Sequence, residues 1–280
     1  MLSYRHAFHA GNHADCLKHL ILTRLLTHLT AKDKALCYCE THAGPGLCAL
    51  DSPQAQQSRE YLGGIGRLWG RRDLPPGLTT YLALVQECNG AGPLRRYPGS
   101  PWLAQRLLRP GDRLILHELH GAELRPLRGN FAGDRRIRVL EGDGFRGLIA
   151  SLPPRERRGL TLIDPAYEVK TDYRQVVETL TEAHRRFATG VYALWYPVVE
   201  RGRIDALERH LARSGIRRVQ RYELAVGDEA RGPGMAASGM LIVNPPWTLL
   251  DDLSPELEAM ASALGEGGAG RFRAEQLVGD

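Results

Sequence analysis

The sequence predicts an α/β protein built on one mostly parallel sheet of seven strands, covered by helices on both faces and carrying a small helical insertion. Two observations carry that expectation. From residue 113 onward, short apolar strand patterns alternate with helical patterns, as in a sheet buried on both faces. The acids Glu40, Glu118, Asp143 and Asp164 fall at or just after the ends of four successive strand patterns. The composition permits such a core: 280 residues, 43% hydrophobic and 25% charged, exclude wholesale disorder and need no disulfide or metal staple.

In chain order, Leu17, Leu20, Ile21, Leu25 and Leu29 recur at helical spacing, predicting a helix over 15–29 with Asp15 able to cap its start. Residues 35–40 read as a short strand whose Cys37 and Cys39 share one face as buried thiols. Residues 52–96 change texture, with helical stretches at 54–69 and 78–88 separated by Asp73-Leu-Pro-Pro-Gly77. Ser100-Pro101 has the chemistry of a helix start, and that helix ends at Pro110-Gly111. Strands are expected at 113–116, 137–140, 160–163, 190–195, 218–224 and 239–243, with helices over 172–187 and 202–214. The last two strands have too short a link for a crossover helix, so they are expected as an antiparallel hairpin. After Leu253 one short helix and a flexible glycine-rich tail are expected. The organisation expected is 1–51 and 97–280 forming one domain, interrupted by a helical subdomain at 52–96.

Basic residues number 37 against 32 acidic, a net charge of +5. Only Lys18, Lys32, Lys34 and Lys170 are lysines, leaving 33 arginines. Arginine suits bidentate phosphate contact and stacking on bases, so a nucleic-acid partner is permitted, although a bias of base composition gives the same excess. Five cysteines without a CxxC argue for reduced thiols. The first residues lack the apolar core of a signal peptide and no stretch is long and apolar enough to span a membrane, so a cytoplasmic protein without membrane contact is expected.

Glu40-Thr-His-Ala-Gly44-Pro-Gly46 forms the first strand-to-helix turn, where an open α/β sheet binds ligands. Its E-x-x-x-G-x-G pattern lacks the third glycine of a pyrophosphate cradle. That disfavours a nicotinamide dinucleotide and favours an adenosine-bearing cofactor without phosphate, S-adenosylmethionine. Gly63-Gly64-Ile65-Gly66 has no strand before it and is set aside. Glu118, ending its strand, suits ribose hydroxyls; Asp143 suits an adenine amino group. His117-Glu-Leu-His120 lacks the zinc-protease spacing, and His6, His9 and His13 have no carboxylate or thiol at ligand spacing, so no metal is expected.

Asp164-Pro165-Ala166-Tyr167 ends the fourth strand and is similar to the [DNS]-P-P-[YFW] signature of amino-group methyltransferases. An exocyclic amine is a poor nucleophile because its lone pair is delocalised into the ring. A carboxylate from Asp164 and the Pro165 carbonyl can each accept one N–H and localise that pair, while Tyr167 stacks on the flipped base. Asn244-Pro-Pro-Trp247 fits the signature better but follows the last strand of the hairpin, so it reads as a rigid turn leaving the sheet. The histidine-rich, aromatic stretch before the first helix reads as a lid over cofactor and RNA.

The chain closely resembles the RlmJ-type 23S ribosomal RNA adenine-N6-methyltransferases of bacteria. The resemblance rests on Met1-Leu-Ser-Tyr-Arg-His6, His9-Ala-Gly-Asn-His-Ala-Asp15, Leu17-Lys-His19, Thr41-His-Ala-Gly44 and Tyr97-Pro-Gly-Ser-Pro101. It continues through Asp143-Gly144, Leu162-Ile-Asp-Pro165, Tyr192-Ala-Leu-Trp-Tyr-Pro197, Ala237-Ser-Gly-Met240 and Asn244-Pro-Pro-Trp247. It implies a class I S-adenosylmethionine-dependent methyltransferase fold. It also implies His19, His42, Gly44, Ser100, Glu118, Asp143, Gly144 and Asp164 around the cofactor, Asp164 as proton acceptor, and Tyr4, His6 and Lys18 at the RNA. A monomer acting on 23S ribosomal RNA still poorly covered by ribosomal proteins is implied too. The family usually has a second proline where this chain has Ala166, which loosens the turn but keeps the Pro165 carbonyl. A DNA adenine methyltransferase, a protein-amide methyltransferase and a non-catalytic RNA-binding protein are the alternatives to be separated.

Overall fold

A computed structural model describes residues 5–168, 171–227, 235 and 237–280. A 3-10 turn at His6–Phe8 leads into helix α1 (His13–Thr30), strand β1 (Cys37–Glu40) and strand β2 (Leu47–Ala49). Helices α2 (Pro53–Ser58), α3 (Glu60–Gly63), α4 (Ile65–Leu68) and α5 (Pro76–Asn89) follow, then β3 (Arg96–Pro98), which pairs with β2 in a small ribbon. The alternating part comprises α6 (Ser100–Leu107), β4 (Arg113–Glu118), α7 (Gly121–Asn130), β5 (Ile137–Glu141), α8 (Gly144–Ser151) and β6 (Gly159–Ile163). It continues with α9 (Asp172–Arg186), β7 (Val191–Val198), α10 (Arg201–Arg213), β8 (Val219–Ala225), β9 (Ala237–Val243), α11 (Leu249–Leu264) and β10 (Arg271–Val278).

The main sheet has the order β10-β8-β9-β7-β6-β1-β4-β5. Strands β5, β4, β1, β6 and β7 are parallel, and β9 is antiparallel to both β7 and β8, the hairpin that the short link predicted. Alternation along β1 divides the core. Cys37 and Cys39 face the helices α8, α9 and α10, while Tyr38 faces α1, α5, α6 and α11. All five cysteines are buried and free. Among the described residues, no helix is long and apolar enough to cross a membrane.

The sheet has eight strands rather than seven, and the tail expected to be flexible supplies the eighth. Gly267 and Gly268 take φ of 58° and 80°, and the chain turns back so that β10 pairs antiparallel with β8. A Cβ at Gly270 would lie 1.9 Å from the Ala261 carbonyl, so only glycine lets the turn close against α11. Three local details also differ. Asn12, not Asp15, caps α1, accepting from the Asp15 N–H at 3.0 Å, while Asp15 Oδ2 accepts from the Gly11 N–H at 2.9 Å. Gly99 is the cap of α6, and the Ser100 hydroxyl turns instead to Glu40. The stretch 54–69 breaks into three short helices, because Arg59 is left-handed (φ 53°) and Gly64 leaves the helical region (φ −109°, ψ −111°).

Candidate active site

In a parallel sheet the strand ends on one rim bring their following turns together, and here that rim gathers Glu40, Glu118, Asp143 and Asp164. A cavity of about 250 Å3 lies between these turns, lined by His19, His42, Gly44, Ser100, Glu118, Asp143, Gly144 and Pro165 among others. A groove of about 840 Å3 opens beside it, lined by Asn12, Asp15, Tyr167, Tyr173, Trp195 and Arg203 among others. His6, Lys18, Asp164 and Ala166 line both, so the two spaces meet at Asp164.

The wall of the smaller cavity is built from small residues and buried acids. Gly44 and Gly46 have φ of 57° and 74°, and a Cβ at Gly46 would strike the Phe131 ring at 2.5 Å. A Cβ at Gly144 would sit 1.7 Å from the Thr41 carbonyl, so only glycine lets the start of α8 approach the turn after β1 this closely. Glu118 is buried, its Oε2 accepting from the Gly44 N–H at 2.8 Å and its Oε1 from the His120 N–H at 2.7 Å. Asp143 caps α8, accepting from the Phe145 and Arg146 N–H groups at 2.9 and 3.2 Å. Burial drives the His42 imidazole down to about 4, with its ring edge-on to Phe145 at 5.0 Å. Burial drives His19 down to about 3; its Nδ1 lies 2.7 Å from the Tyr97 hydroxyl, which in turn lies 2.8 Å from that of Tyr81.

Glu40 is fully buried behind the cavity. The Tyr38 hydroxyl donates to its Oε2 at 2.9 Å and the Ser100 hydroxyl to its Oε1. Burial pushes its carboxyl up to about 8, against the pull of those two hydrogen bonds. It therefore anchors Ser100 and α6 rather than facing a ligand.

At the junction, Lys18 is buried and its Nζ donates to Asp164 Oδ2 at 2.6 Å and to Asp15 Oδ1 at 2.9 Å. His6 Nε2 lies 3.1 Å from Asp15 Oδ2. Burial opposes charge on both members of that pair, but attraction prevails: His6 is raised above its ordinary range and Asp15, beside His6 and Lys18, is held well below its own. The chain His6–Asp15–Lys18–Asp164 thus ties the segment before α1 to the turn after β6. Asp164 Oδ1 makes no hydrogen bond among the described residues, which leaves one carboxylate oxygen available at the meeting point. Tyr167 is left-handed (φ 52°), and its hydroxyl donates to the Trp195 carbonyl at 2.7 Å. Its ring packs on Tyr173 at 4.6 Å and Trp195 at 5.9 Å, so it walls the larger groove.

Of the residues singled out in the sequence, the structure brings His6, Lys18, His19, His42, Gly44, Ser100, Glu118, Asp143, Gly144, Asp164 and Pro165 to the smaller cavity and Tyr167 to the groove. Tyr4 lies outside the described residues. Asn244 lies at the opposite rim, because β9 runs against β7 and pairs Val243 with Tyr192 at the start of that strand. Sequence reasoning missed Asp15 as the bridge between His6 and Lys18, and Trp195 and Tyr173 as groove walls. The aromatic run around Trp195 was visible at a strand end; the bridge was not, since it depends on contacts between distant segments.

The donor set suits a cationic, hydroxyl-bearing nucleoside: Glu118, Glu123, Asp143 and Asp164 line the cavity, and its glycine walls admit close backbone approach. Strand order and site together define a class I S-adenosylmethionine-dependent methyltransferase. A family model described as ribosomal RNA large subunit methyltransferase D, RlmJ, matches residues 33–278. The chain is 48% identical over 278 residues to ribosomal RNA large subunit methyltransferase J of Escherichia coli strain K12, covering 99% of each chain. It is 45% identical over 279 residues to the protein of the same name from Haemophilus influenzae, again covering 99% of each. The crystal structure of a Legionella pneumophila protein superposes with a TM-score of 0.89 at 37% identity, covering 96% of this chain and 98% of that one. The chain belongs to the ribosomal RNA large subunit methyltransferase J family.

Proposed function

We propose that the protein methylates N6 of one adenine in 23S ribosomal RNA, using S-adenosylmethionine. The observation that carries the reading is the turn Asp164–Tyr167 at the junction of an acid-lined cavity and a wide, aromatic-walled groove. Glu118 would hold the ribose hydroxyls, Asp143 and the Gly144 turn the adenine, and His19, His42, Gly44 and Ser100 the remaining walls. The bound cofactor would supply an electrophilic methyl on a sulfonium.

The chain's own residues do the rest. The Asp164 oxygen left open by Lys18 accepts one N–H of the flipped adenine's amine, and the Pro165 carbonyl accepts the other. With both N–H bonds held in this way, the nitrogen lone pair is withdrawn from ring delocalisation and would be free to take up that methyl. Asp164 takes the proton released. Lys18 fixes the orientation of Asp164, and Tyr167 stacks on the base. Tyr4 and His6 contact the RNA from the segment ahead of α1.

The same reading takes 52–96 as a subdomain inserted into 1–51 and 97–280. In its support, Glu60 holds His9 at 3.0 Å and Asn12 at 2.8 Å, docking the N-terminal segment onto that insertion. It also places a monomer in the cytoplasm, acting on RNA not yet covered by ribosomal proteins.

Labelled S-adenosylmethionine offered with naked 23S RNA, assembled large subunits and duplex DNA in competition tests it. Label is expected in naked 23S RNA. Transfer to DNA or protein in preference, or binding of cofactor without any transfer, overturns the reading.

A further inference from the structure

The positive charge of the chain is concentrated on the rim of the sheet farthest from Asp164. Every connection that enters a parallel strand lies there, as do the entry to β8 and the exits of β9 and β10. These segments, 31–36, 108–113, 131–136, 152–158, 185–190, 213–218, 244–248 and 279–280, hold fourteen arginines and lysines against five acids. They carry a net +9 in a chain whose total is +5, so the remainder, including the catalytic rim, is acidic on balance.

Helix C-termini explain part of this, since cations complement the carbonyl end of a helix. Arg109 and Arg158 donate to carbonyls at and beyond the end of α1, and Arg185 and Arg186 close α9. That reason does not reach Arg135, Arg157 and Arg217, which lead into strands, are exposed and have no carboxylate partner among the described residues. Nor does it reach Trp247, 84% exposed at the end of the Asn244-Pro-Pro-Trp247 turn. That turn is held firmly. The Asn244 side-chain amide donates to the Ala188 and Gly190 carbonyls at 2.8 Å each, and its backbone N–H donates to the Arg218 carbonyl at 3.0 Å. Arg157, Arg218 and Asn244 all take left-handed φ, 53°, 55° and 52°, a conformation uncommon outside glycine.

We propose that this rim is a second RNA-binding surface, on which unpaired arginines hold phosphates and Trp247 stacks on a base of a strand flanking the target. An exposed aromatic on a fixed turn between arginines is the arrangement that binds single-stranded nucleic acid. Eight strands at about 4.8 Å spacing make the rim about 34 Å long, enough for several phosphates. The length of β6 sets it roughly 20 Å from Asp164, so it grips RNA outside the catalytic groove. The inference rests on the RNA reading above.

The test uses the full chain with Arg157→Glu and Arg217→Glu combined, and separately Trp247→Ala. Binding of 23S RNA is titrated across a salt series, alongside single-turnover methyl transfer at saturating RNA, S-adenosylmethionine affinity and thermal midpoint. The double variant is expected to lose about tenfold or more in RNA affinity, with a log-log salt slope shallower by about two. Trp247→Ala is expected to lose about fivefold or more. Cofactor affinity and the saturated rate should stay at wild-type values. RNA affinity and salt slope unchanged in all variants, with the wild type active on RNA, overturn this inference alone. A wild type that transfers no methyl to 23S RNA overturns the parent reading instead.

Discussion

Two four-residue turns of similar pattern, Asp/Asn-Pro first and an aromatic residue last, sit at opposite rims of one sheet. Asp164-Pro-Ala-Tyr167 follows β6, where the parallel strands end; Asn244-Pro-Pro-Trp247 follows β9, where they begin. In the first, a carboxylate oxygen stays open beside a buried lysine, and the aromatic ring is folded onto Tyr173 and Trp195. In the second, the side-chain amide is spent on two backbone carbonyls and the aromatic ring stands in solvent. The short motif fits the second place fully and the first with Ala166 for its second proline; the strand direction beneath it decides which can hold a nucleophile next to a cofactor.

The largest expected effect breaks the comparison if it fails. Asp164→Ala should lose about a hundredfold or more in single-turnover methyl transfer while keeping RNA affinity, because it removes an acceptor used at the transition state. A turnover rate near wild type would mean that the turn after β6 does not do the chemistry. Next comes Glu118→Gln. An amide cannot accept from both the Gly44 and His120 N–H groups, so the glycine turn loosens. Calorimetry should show S-adenosylmethionine bound about tenfold more weakly. Equal affinity would remove Glu118 from the cofactor site.

Asn244→Ala sharpens the other side. It should leave methyl transfer at saturating RNA unchanged and cost about 1–2 kcal/mol of unfolding stability, through two lost hydrogen bonds and a left-handed backbone that alanine tolerates less well. A large rate loss at unchanged stability would reverse the assignment of the two turns. The smallest effect concerns Glu40. Its carboxyl keeps a proton up to about 8, while an ordinary glutamate releases it near 4.5. Between those values only the unfolded chain has lost the proton, so this group makes stability fall as pH rises and then level off above the window. Glu40→Gln, neutral throughout, should flatten the change in urea midpoint between about pH 5 and 8. Identical pH profiles for the two proteins would mean that Glu40 is ionised behind Ser100.

What could be read from the sequence follows from physics that is local in the chain. Short apolar runs and period-3.6 patterning located β1, β4, β6, β7 and α9, and the acids closing β1, β4 and β6 had to meet once those strands were parallel. The remainder is non-local. Lys18 and Asp164 are 146 positions apart, and Ser100 and Glu40 are 60 apart. Nothing in either neighbourhood announces the partner. Strand β10 was hidden for a different reason. It is an edge strand with Arg271, Arg273 and Glu275 facing outward, and the glycines before it read as a flexible tail when they form a tight reversal. Asp15 was taken for a helix cap because caps and buried bridges use the same residue type.

The most direct measurement is nucleoside analysis of 23S RNA after methylation by the purified protein and by Asp164→Ala. The expected result is N6-methyladenosine at one adenine, present with the wild type and absent with the variant. A methyl group on a ring nitrogen or a ribose oxygen, or N6-methyladenosine made equally by Asp164→Ala, would contradict the placement of the chemistry at the turn after β6.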